Sequence, residues 1–299
     1  ASATVTVQTI AALKVLDKTQ VKNATVQGYY ARGDGGGGNY YLDIADTTTP
    51  SNGGTVIVAT DGGRWKLATT TLMDVRQWGA KGDGATDDTT ILQTAIAPGA
   101  GIRISTGTYL VTAPLVIDYT TNTPAGVTTS FLGYISKRYG VLGDSWANSI
   151  LVANGTDFAL KCLGSYPVTQ NFSGNDSVEN LTITNPVRNL PNTTNSGSSG
   201  ILVKTKAYTD IKKYTAKNLK LGLQLDSVLT SKLEDILIEG CYQGIITNNS
   251  NAVSGPNSMI WSRVKVGNAT SNGIVAEVGA ASHFDTLTVE GNGTVATSS

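Results

Sequence analysis

The sequence is short of the residues that build metal centres, redox sites and nucleic-acid surfaces. Its 299 residues include two cysteines and one histidine, and Cys162 and Cys241 stand too far apart for a metal-ligand motif. We therefore expect two buried free thiols, no metal site and no cofactor. Lysine plus arginine and aspartate plus glutamate both number 22, so no basic field favours nucleic acid as a partner. No run reaches the roughly 18 apolar residues that span a bilayer, and we expect no membrane insertion.

Glycine is abundant instead, at 34 residues, and the chain divides into three regions. Residues 1–72 form a small module with a short helix at 9–16 and strand-like stretches joined by glycine loops. Residues 73–99 carry a motif rich in glycine and aspartate, and residues 100–299 consist of short alternating strands. This pattern indicates an all-β fold with tight turns. The core of the module is expected to be built from its aromatic residues, Tyr29, Tyr30, Tyr40, Tyr41 and Trp65.

The stretch WGAKGDGATDDTTILQTAI, residues 78–96, resembles a ligand-binding loop at first sight. It lacks the lysine and hydroxyl of a phosphate-binding loop, and its aspartates do not alternate as a calcium loop requires. A structural role fits better, because Gly82 and Gly84 supply unusual backbone angles and Thr86 or Asp87 can cap a helix that runs to about Ala97. We expect this helix to cap the strands that follow.

The second half of the chain contains an internal repeat. KKYTAKNLKLGLQL (212–225) aligns without a gap over EDILIEGCYQGIIT (234–247), at an offset of 22 residues. Glycines before the second strand of each unit recur at 200, 222, 244 and 273. Such a period fits one coil of a right-handed parallel β-helix. Each coil would bury one apolar row, namely Leu181/Ile183, Tyr214/Ala216, Ile236/Ile238, Val264/Val266 and Leu287/Val289.

Two stretches resemble known families. VRQWGAKGDGATDDTTILQTAI (75–96) followed by IRISTGTYLVTAPLVI resembles the opening of the pectate-lyase-like β-helix family, which includes bacteriophage tailspikes and polygalacturonases. The segment at 28–67, with GYYARGDGGGGNYYLD, GGTVIV and GGRWKL, is similar to the module that precedes this β-helix in many phage and prophage tailspikes. The fold class expected is therefore a right-handed parallel β-helix, preceded by a capping helix and a small N-terminal module.

The resemblance implies a homotrimer on the virion tail, attached to tail or baseplate proteins through residues 1–72. It also implies a protein that recognises and depolymerises bacterial surface polysaccharide, either capsule or O-antigen. Two alternatives stay open: a non-enzymatic glycan-binding adhesin of the virion, and a secreted pectin-active lyase or polygalacturonase. The chain stops at Ser299 just after the first strand of a coil, so we expect it to be the N-terminal portion of a longer protein that holds further coils, a trimerisation region and catalytic groups.

Candidate catalytic residues come from strand geometry, because no motif assigns them. If Ile236 and Ile238 point inward, alternation sends Asp235 and Glu239 outward. The column through Glu239 then holds Lys217, Glu239, Gly267 and Glu290 on successive coils. Glu239 and Glu290 would stand roughly 9 to 10 Å apart, near the upper limit of about 6.5–9.5 Å for an inverting acid/base pair.

The remaining candidates have weaker support. Asp235 lies in a column between Lys213 and Arg263, an order that favours surface ion pairing. His283 is the one histidine and could act as a base in a lyase. Trp261 and Tyr242 are candidates for glycan binding, because aromatic faces stack on sugar rings, although packing is the usual role of such residues.

Overall fold

The computed structural model describes residues 4–68, 72–96, 101–118, 140–164, 176–187, 190–206, 209–250, 258–276 and 282–292. The chain forms two compact units. The N-terminal unit comprises Ala1–Lys81 and Thr90–Ser105, and the solenoid unit comprises Gly82–Thr89 and Thr106–Ser299. Among the described residues, no helix is both long and apolar enough to cross a membrane.

The N-terminal unit is built on a five-stranded sheet. Its elements are β1 (Thr4–Val7), α1 (Ile10–Lys14), β2 (Asn23–Val26), β3 (Gly38–Leu42), β4 (Val56–Val58), β5 (Arg64–Leu67), β6 (Leu72–Asp74) and a 3-10 helix (Val75–Trp78). The sheet order is β1-β2-β3-β5-β4, with β1 parallel to β2 and the other pairs antiparallel. Helix α1 begins after Thr9, whose side chain accepts a hydrogen bond from the Ala12 N–H. The short helix expected at 9–16 is thus confirmed over Ile10–Lys14.

The aromatic core of this unit is smaller than the sequence suggested. Tyr40 and Trp65 are fully buried, and Tyr29 packs against the same core. Tyr30 and Tyr41 are exposed, so their assignment to the core was wrong. Tyr41 follows Tyr40 along β3, and successive side chains of a strand point to opposite faces of the sheet.

The aspartate-rich motif forms a turn and starts a helix, as predicted. Gly82 and Gly84 have φ values of 60° and 75°, in the region that favours glycine. The motif continues as β7 (Asp83–Asp87) and α2 (Thr89–Ile96), and β8 (Gly101–Ile104) comes next among the described elements. Asp87 Oδ1 accepts the Thr89 N–H at 3.0 Å, at the start of α2. The carboxylates of this loop therefore bond to their own backbone and hold its shape.

The solenoid unit is a parallel β-helix, which confirms the predicted fold class. Its further strands are β9 (Gly107–Val111), β10 (Leu115–Asp118), β11 (Gly140–Gly143), β12 (Ser149–Ala153), β13 (Phe158–Leu163), β14 (Asp176–Thr184), β15 (Ser199–Lys204), β16 (Thr209–Lys217), β17 (Leu221–Asp226), β18 (Lys232–Glu239), β19 (Gln243–Asn248), β20 (Ile260–Gly267), β21 (Ile274–Ala276) and β22 (His283–Glu290). In the first sheet β7, β9, β12, β14, β16, β18, β20 and β22 pair in that order, and β11 also pairs with β14. In the second sheet β10, β13, β15, β17, β19 and β21 pair in that order.

The predicted repeat and its interior rows are confirmed by the strand register. Tyr214 pairs with Ile236, Ile236 with Val264, and Val264 with Leu287, and the row through Ala216 and Ile238 runs beside it. From Leu181 to Val266 these side chains are buried, whereas Leu287 and Val289 are 40% and 43% exposed. The predicted burial of this last row was therefore wrong, because β22 has only β20 as a strand neighbour among the described residues. Complete burial of a large aliphatic side chain contributes about 1.5–3 kcal/mol, so the rows stabilise the stack of coils. Both cysteines are free and buried, as expected, and burial raises the pKa of the Cys241 thiol to about 12.

The sequence did not reveal a bend in every long strand of the first sheet. Five stacked residues adopt left-handed backbone angles with φ between 49° and 59°, namely Asn180, Lys213, Asp235, Arg263 and Thr286. Non-glycine residues seldom adopt this conformation, so its recurrence at one position in five coils marks a structural feature of the repeat. The bend divides the outward surface of the sheet into two halves.

Candidate functional site

The predicted column of outward residues exists. Lys217 pairs with Glu239, Glu239 with Gly267, and Gly267 with Glu290. All four are the last residues of their strands, and the turns after Lys217, Glu239 and Gly267 lead from the first sheet to the second. The side chains of Glu239 and Glu290 are 46% and 58% exposed. We call this border of the solenoid the turn edge, and both glutamates are accessible from solvent there.

Each glutamate on the turn edge has a lysine partner. Lys217 Nζ lies 3.8 Å from Glu239 Oε2, and Lys265 Nζ lies 2.5 Å from Glu290 Oε1. Hydrogen bonding and charge attraction from Glu290, with a further contribution from the charge of Glu239, raise the pKa of Lys265. Lys265 therefore lies in the electric field of both carboxylates, on the strand between them.

Gly267 leaves room between the two glutamates. A Cβ atom at this position would lie 3.9 Å from Lys265 Cε and 4.0 Å from Glu290 Cγ, so these two side chains lie beside the space that the glycine leaves open. The main chains at Glu239 and Glu290 are two strand spacings apart, about 9 to 10 Å. In an inverting glycosidase the two carboxyl groups stand about 6.5–9.5 Å apart with a water molecule between them, and main chains at this spacing are compatible with such a pair.

Asp235 lies at the bend itself and is held by Arg263, the bend residue of the next strand. Arg263 Nε and Nη2 lie 2.5 Å and 3.1 Å from the two carboxylate oxygens, and Nη2 also donates to Glu234 Oε1 at 2.8 Å. The hydrogen bonds from Arg263, together with its charge, keep the pKa of Asp235 below its ordinary value. This bidentate pairing agrees with the surface ion pair expected from the column and keeps Asp235 ionised.

The aromatic candidates differ in accessibility. Trp261 is 2% exposed, and its ring centroid lies 5.3 Å from that of Phe284. Its ring thus belongs to the interior of the solenoid and presents no face to a sugar in this conformation. Tyr242 is half-buried in the turn that follows Glu239, where its N–H donates to Leu219 O at 2.8 Å. His283 is exposed at the start of β22, beside Ile260.

A loop that the sequence did not place contributes to the same edge. Residues 190–198 lie between β14 and β15, and the Asn192 N–H donates to Gly240 O at 2.8 Å. The Thr270 hydroxyl donates to Asn192 O at 2.7 Å. Gly240 directly follows Glu239, so this loop borders the glutamate column. The polar composition of the loop was visible in the sequence, but its contacts with residues 48 and 78 positions away were not.

Comparison with known proteins matches two consecutive segments of the chain to two different families. Residues 6–70 match the phage tail protein small four-stranded beta-sheet domain. Residues 72–129 match the family described as rhamnogalacturonase A/epimerase, pectate lyase-like. The two matches follow one another along the chain, in the order that the resemblances in the sequence predicted.

Solved structures extend the likeness over nearly the entire chain. The enzymatically active domain of tailspike protein 2 from bacteriophage CBA120 superposes with a TM-score of 0.65 at 15% identity, covering 95% of this chain and 40% of that chain. The chain has the pectate-lyase-like fold of phage tailspikes. The gp42 tailspike of Acinetobacter phage vb_AbaP_AS12 superposes on the tailspike-like chain with a TM-score of 0.63 at 13% identity, covering 91% of this chain and 46% of that one.

The tailspike-like chain also has a relative among phage tail fibres. The Mu-like prophage FluMu defective tail fiber protein of Haemophilus influenzae is 34% identical over 87 residues, which are 28% of this chain and 14% of the relative. The chain thus spans 14% of the length of this relative and less than half of the two tailspikes. The family resemblance expected from the sequence is confirmed at the level of the fold.

Proposed function

We propose that this chain is part of a phage tailspike that binds bacterial surface polysaccharide. The observation that carries the proposal is the succession, in one chain, of a phage-tail β-sheet domain and a tailspike-like parallel β-helix. The N-terminal unit would attach the protein to tail or baseplate proteins, and the solenoid would face the host. The protein would act as a homotrimer on the outer side of the virion tail.

The turn edge is the site we assign to polysaccharide cleavage. Glu239 and Glu290 are exposed, stand in one column and leave the space above Gly267 open. In an inverting hydrolysis one carboxyl group protonates the glycosidic oxygen and the other activates a water molecule on the opposite face of the sugar. Substrate would have to displace at least one lysine, because the acid must exchange its ion pair for the glycosidic oxygen. Tyr242, in the adjacent turn, would stack against a neighbouring sugar.

A non-enzymatic adhesin is the second candidate, and a specific observation favours it. Both glutamates already have lysine partners on the turn edge. An edge of alternating carboxylates and ammonium groups can bind sugar hydroxyls through charge-assisted hydrogen bonds without breaking a bond. Asp235, held by Arg263, could take part in binding in the same way.

The test uses the full-length protein. Light scattering after size-exclusion chromatography measures its mass, and a trimer is expected. The protein is then incubated with a panel of purified capsular and O-antigen polysaccharides while chain length and absorbance near 235 nm are followed. Shortened polysaccharide without new absorbance identifies a hydrolase. New absorbance from unsaturated uronic acid identifies a lyase and excludes Glu239 and Glu290 as the acid and base of a hydrolysis. Binding without shortening identifies the adhesin. A monomer that binds no polysaccharide of the panel contradicts the proposal.

A further inference from the structure

A cavity of about 260 Å³ opens on the same turn edge, several coils before the glutamates. Three turns contribute to it: residues 112–114 between β9 and β10, residues 154–157 between β12 and β13, and Ser198 directly before β15. These turns belong to consecutive coils of the solenoid unit. We call this space the corner cavity.

The walls of the corner cavity are held in place by hydrogen bonds. The Thr112 hydroxyl donates to Asp87 Oδ2 at 2.7 Å. The Ser198 hydroxyl donates to Gly155 O at 2.8 Å and accepts the Gly155 N–H at 2.7 Å. A cavity whose walls are already ordered loses little conformational entropy when a ligand enters. The corner cavity is therefore preorganised for binding.

Asp157 contributes a carboxylate to the lining of the corner cavity. Its side chain is 47% exposed, and its two oxygens accept the Phe158 N–H at 2.7 Å and Lys161 Nζ at 2.5 Å. An ionised carboxylate offers about four acceptor positions, so about two remain for donors from a ligand. The carboxylate, whose charge is balanced by Lys161, favours a ligand rich in hydroxyl groups, because hydroxyl groups donate charge-assisted hydrogen bonds to it.

The rest of the lining suits the flat face of a sugar ring. Pro114, Ala113 and the half-buried Phe158 supply apolar surface, and the exposed Thr156 adds a hydroxyl group beside Asp157. Binding sites for small molecules combine apolar surface with a few polar groups in this way, in volumes from about 300 Å³ upward. The corner cavity lies just below that range, so it fits one ring and not a longer segment.

The corner cavity and the glutamates are aligned along one column of the first sheet. Leu110, Val152, Thr184, Lys217 and Glu239 pair in succession. Val111 and Ala153 in the cavity wall come directly after Leu110 and Val152, as Gly240 comes directly after Glu239. Three strand spacings separate Val152 from Glu239, about 14 Å. One extended polysaccharide chain along the turn edge can therefore reach both places.

We propose that the corner cavity is a remote subsite that holds one sugar ring of the polysaccharide chain bound at Glu239 and Glu290, through hydrogen bonds from its hydroxyl groups to Asp157. The inference rests on the proposed function, and it adds the position of a second contact and the group that makes it. Its consequence is a dependence of affinity on chain length. Fragments long enough to span about 14 Å gain affinity that shorter fragments lack.

The first experiment observes the cavity directly. Protein with ¹³C-labelled alanine methyl groups is titrated with glucose, galactose, mannose and rhamnose. Methyl signals of Ala113, Ala153 and Ala159, which line the cavity, are expected to shift with at least one of these sugars. The exposed Ala147, in the turn before β12, is the internal control. Unchanged signals at all three cavity alanines, or equal shifts at Ala147, contradict the inference whether or not the protein cleaves polysaccharide.

The second experiment measures affinity for size-fractionated fragments of the polysaccharide that the wild-type protein binds in the panel above. Ala113→Leu fills the cavity and Asp157→Asn removes its charge. Each is expected to weaken binding of long fragments about tenfold and to leave short fragments unaffected. The matched controls are Ala147→Leu and Asp210→Asn, whose carboxylate pairs with Lys212 at 3.1 Å on the other half of the sheet. Equal affinities of variant and wild type for long fragments would overturn the subsite, while failure of the wild type to bind any polysaccharide overturns the proposed function.

Discussion

A Cβ atom added to Gly222 would stand 2.8 Å from the carbonyl oxygen of Gly244 on the next coil and 2.5 Å from Cγ2 of Ile238. Gly200, Gly222, Gly244 and Gly273 repeat this arrangement, each with a neighbouring coil or interior side chain in the place of its missing Cβ. The glycine stack thus permits the close approach of successive coils.

Gly222→Ala is therefore expected to destabilise the solenoid by about 1–3 kcal/mol. The added methyl group has no space, and the main chain of Gly244 cannot withdraw without stretching the second sheet. Urea unfolding followed by circular dichroism measures the loss. Gly267→Ala is the control, because its Cβ would meet nothing closer than 3.9 Å. Equal stability of the two variants would contradict the steric account.

Tyr214→Phe tests the polar contact in the same region. Tyr214 is fully buried, and its hydroxyl donates to the carbonyl oxygen of Gly222 at 2.9 Å. Removal of the Tyr214 hydroxyl leaves the Gly222 carbonyl without this hydrogen bond. We therefore expect the free energy of unfolding to fall by about 0.5–1.5 kcal/mol. Tyr242→Phe, in a half-buried turn, serves as the control and should unfold like the wild type. An unchanged free energy of unfolding in Tyr214→Phe would show that this hydrogen bond makes no net contribution to stability.

The carboxylate of Asp226 is expected to make the stability of the protein depend on pH in the acid range. Burial raises the pKa of this carboxyl group, but hydrogen bonds from Ser250, Ser227 and Lys204 outweigh it, so the pKa lies below its ordinary value. The stability that Asp226 contributes is present above the pKa of an unfolded aspartate, about 3.9, and is lost as the pH falls through the lower folded value. Melting temperatures from pH 6 to pH 2.5 should fall less steeply in Asp226→Asn than in wild type. An equal slope in Asp226→Asn and wild type would contradict this contribution of Asp226.

Substitution of either glutamate on the turn edge is expected to lower depolymerase activity. Glu239→Gln and Glu290→Gln should each lower the rate of polysaccharide cleavage by about 10²–10⁴-fold, the usual contribution of a general acid or base. Glu179→Gln is the matched control, because Glu179 pairs with Lys212 at 3.8 Å, as Glu239 does with Lys217. Binding of the polysaccharide should persist in all three variants. If both edge variants cleave at the wild-type rate, the catalytic assignment is wrong.

The N-terminal unit has its own test. Trp65 is fully buried in the core of the five-stranded sheet, and Trp65→Ala is expected to cost about 3–5 kcal/mol. Limited proteolysis should then cleave within residues 4–68, while the solenoid unit stays resistant. Tyr41→Ala removes an exposed side chain of the same sheet and should leave the cleavage pattern unchanged. Cleavage of both variants at the same rate would contradict the burial of Trp65.

The candidate site was predicted less completely than the fold. Strand alternation placed Glu239 and Glu290 in one outward column, but it did not reveal that Lys265 lies beside both carboxylates. It also offered Trp261 as a sugar-stacking residue, whereas the structure packs that ring against Phe284. The corner cavity was invisible, because Thr112, Asp157 and Ser198 come from three turns of different length.

The amino-acid sequence alone predicted the 22-residue offset, the interior rows and the stacked glycines. It could do so because burial in a solenoid requires the same residue type at the same place in successive coils. An outward side chain is under no such demand, and its neighbours depend on how far each turn and loop reaches. The stacked left-handed bend, the contact of Asn192 with Gly240 and the alignment of the corner cavity with Glu239 were therefore decided only by the tertiary structure. Each of them depends on contacts between coils, and a pattern within one strand contains no information about those contacts.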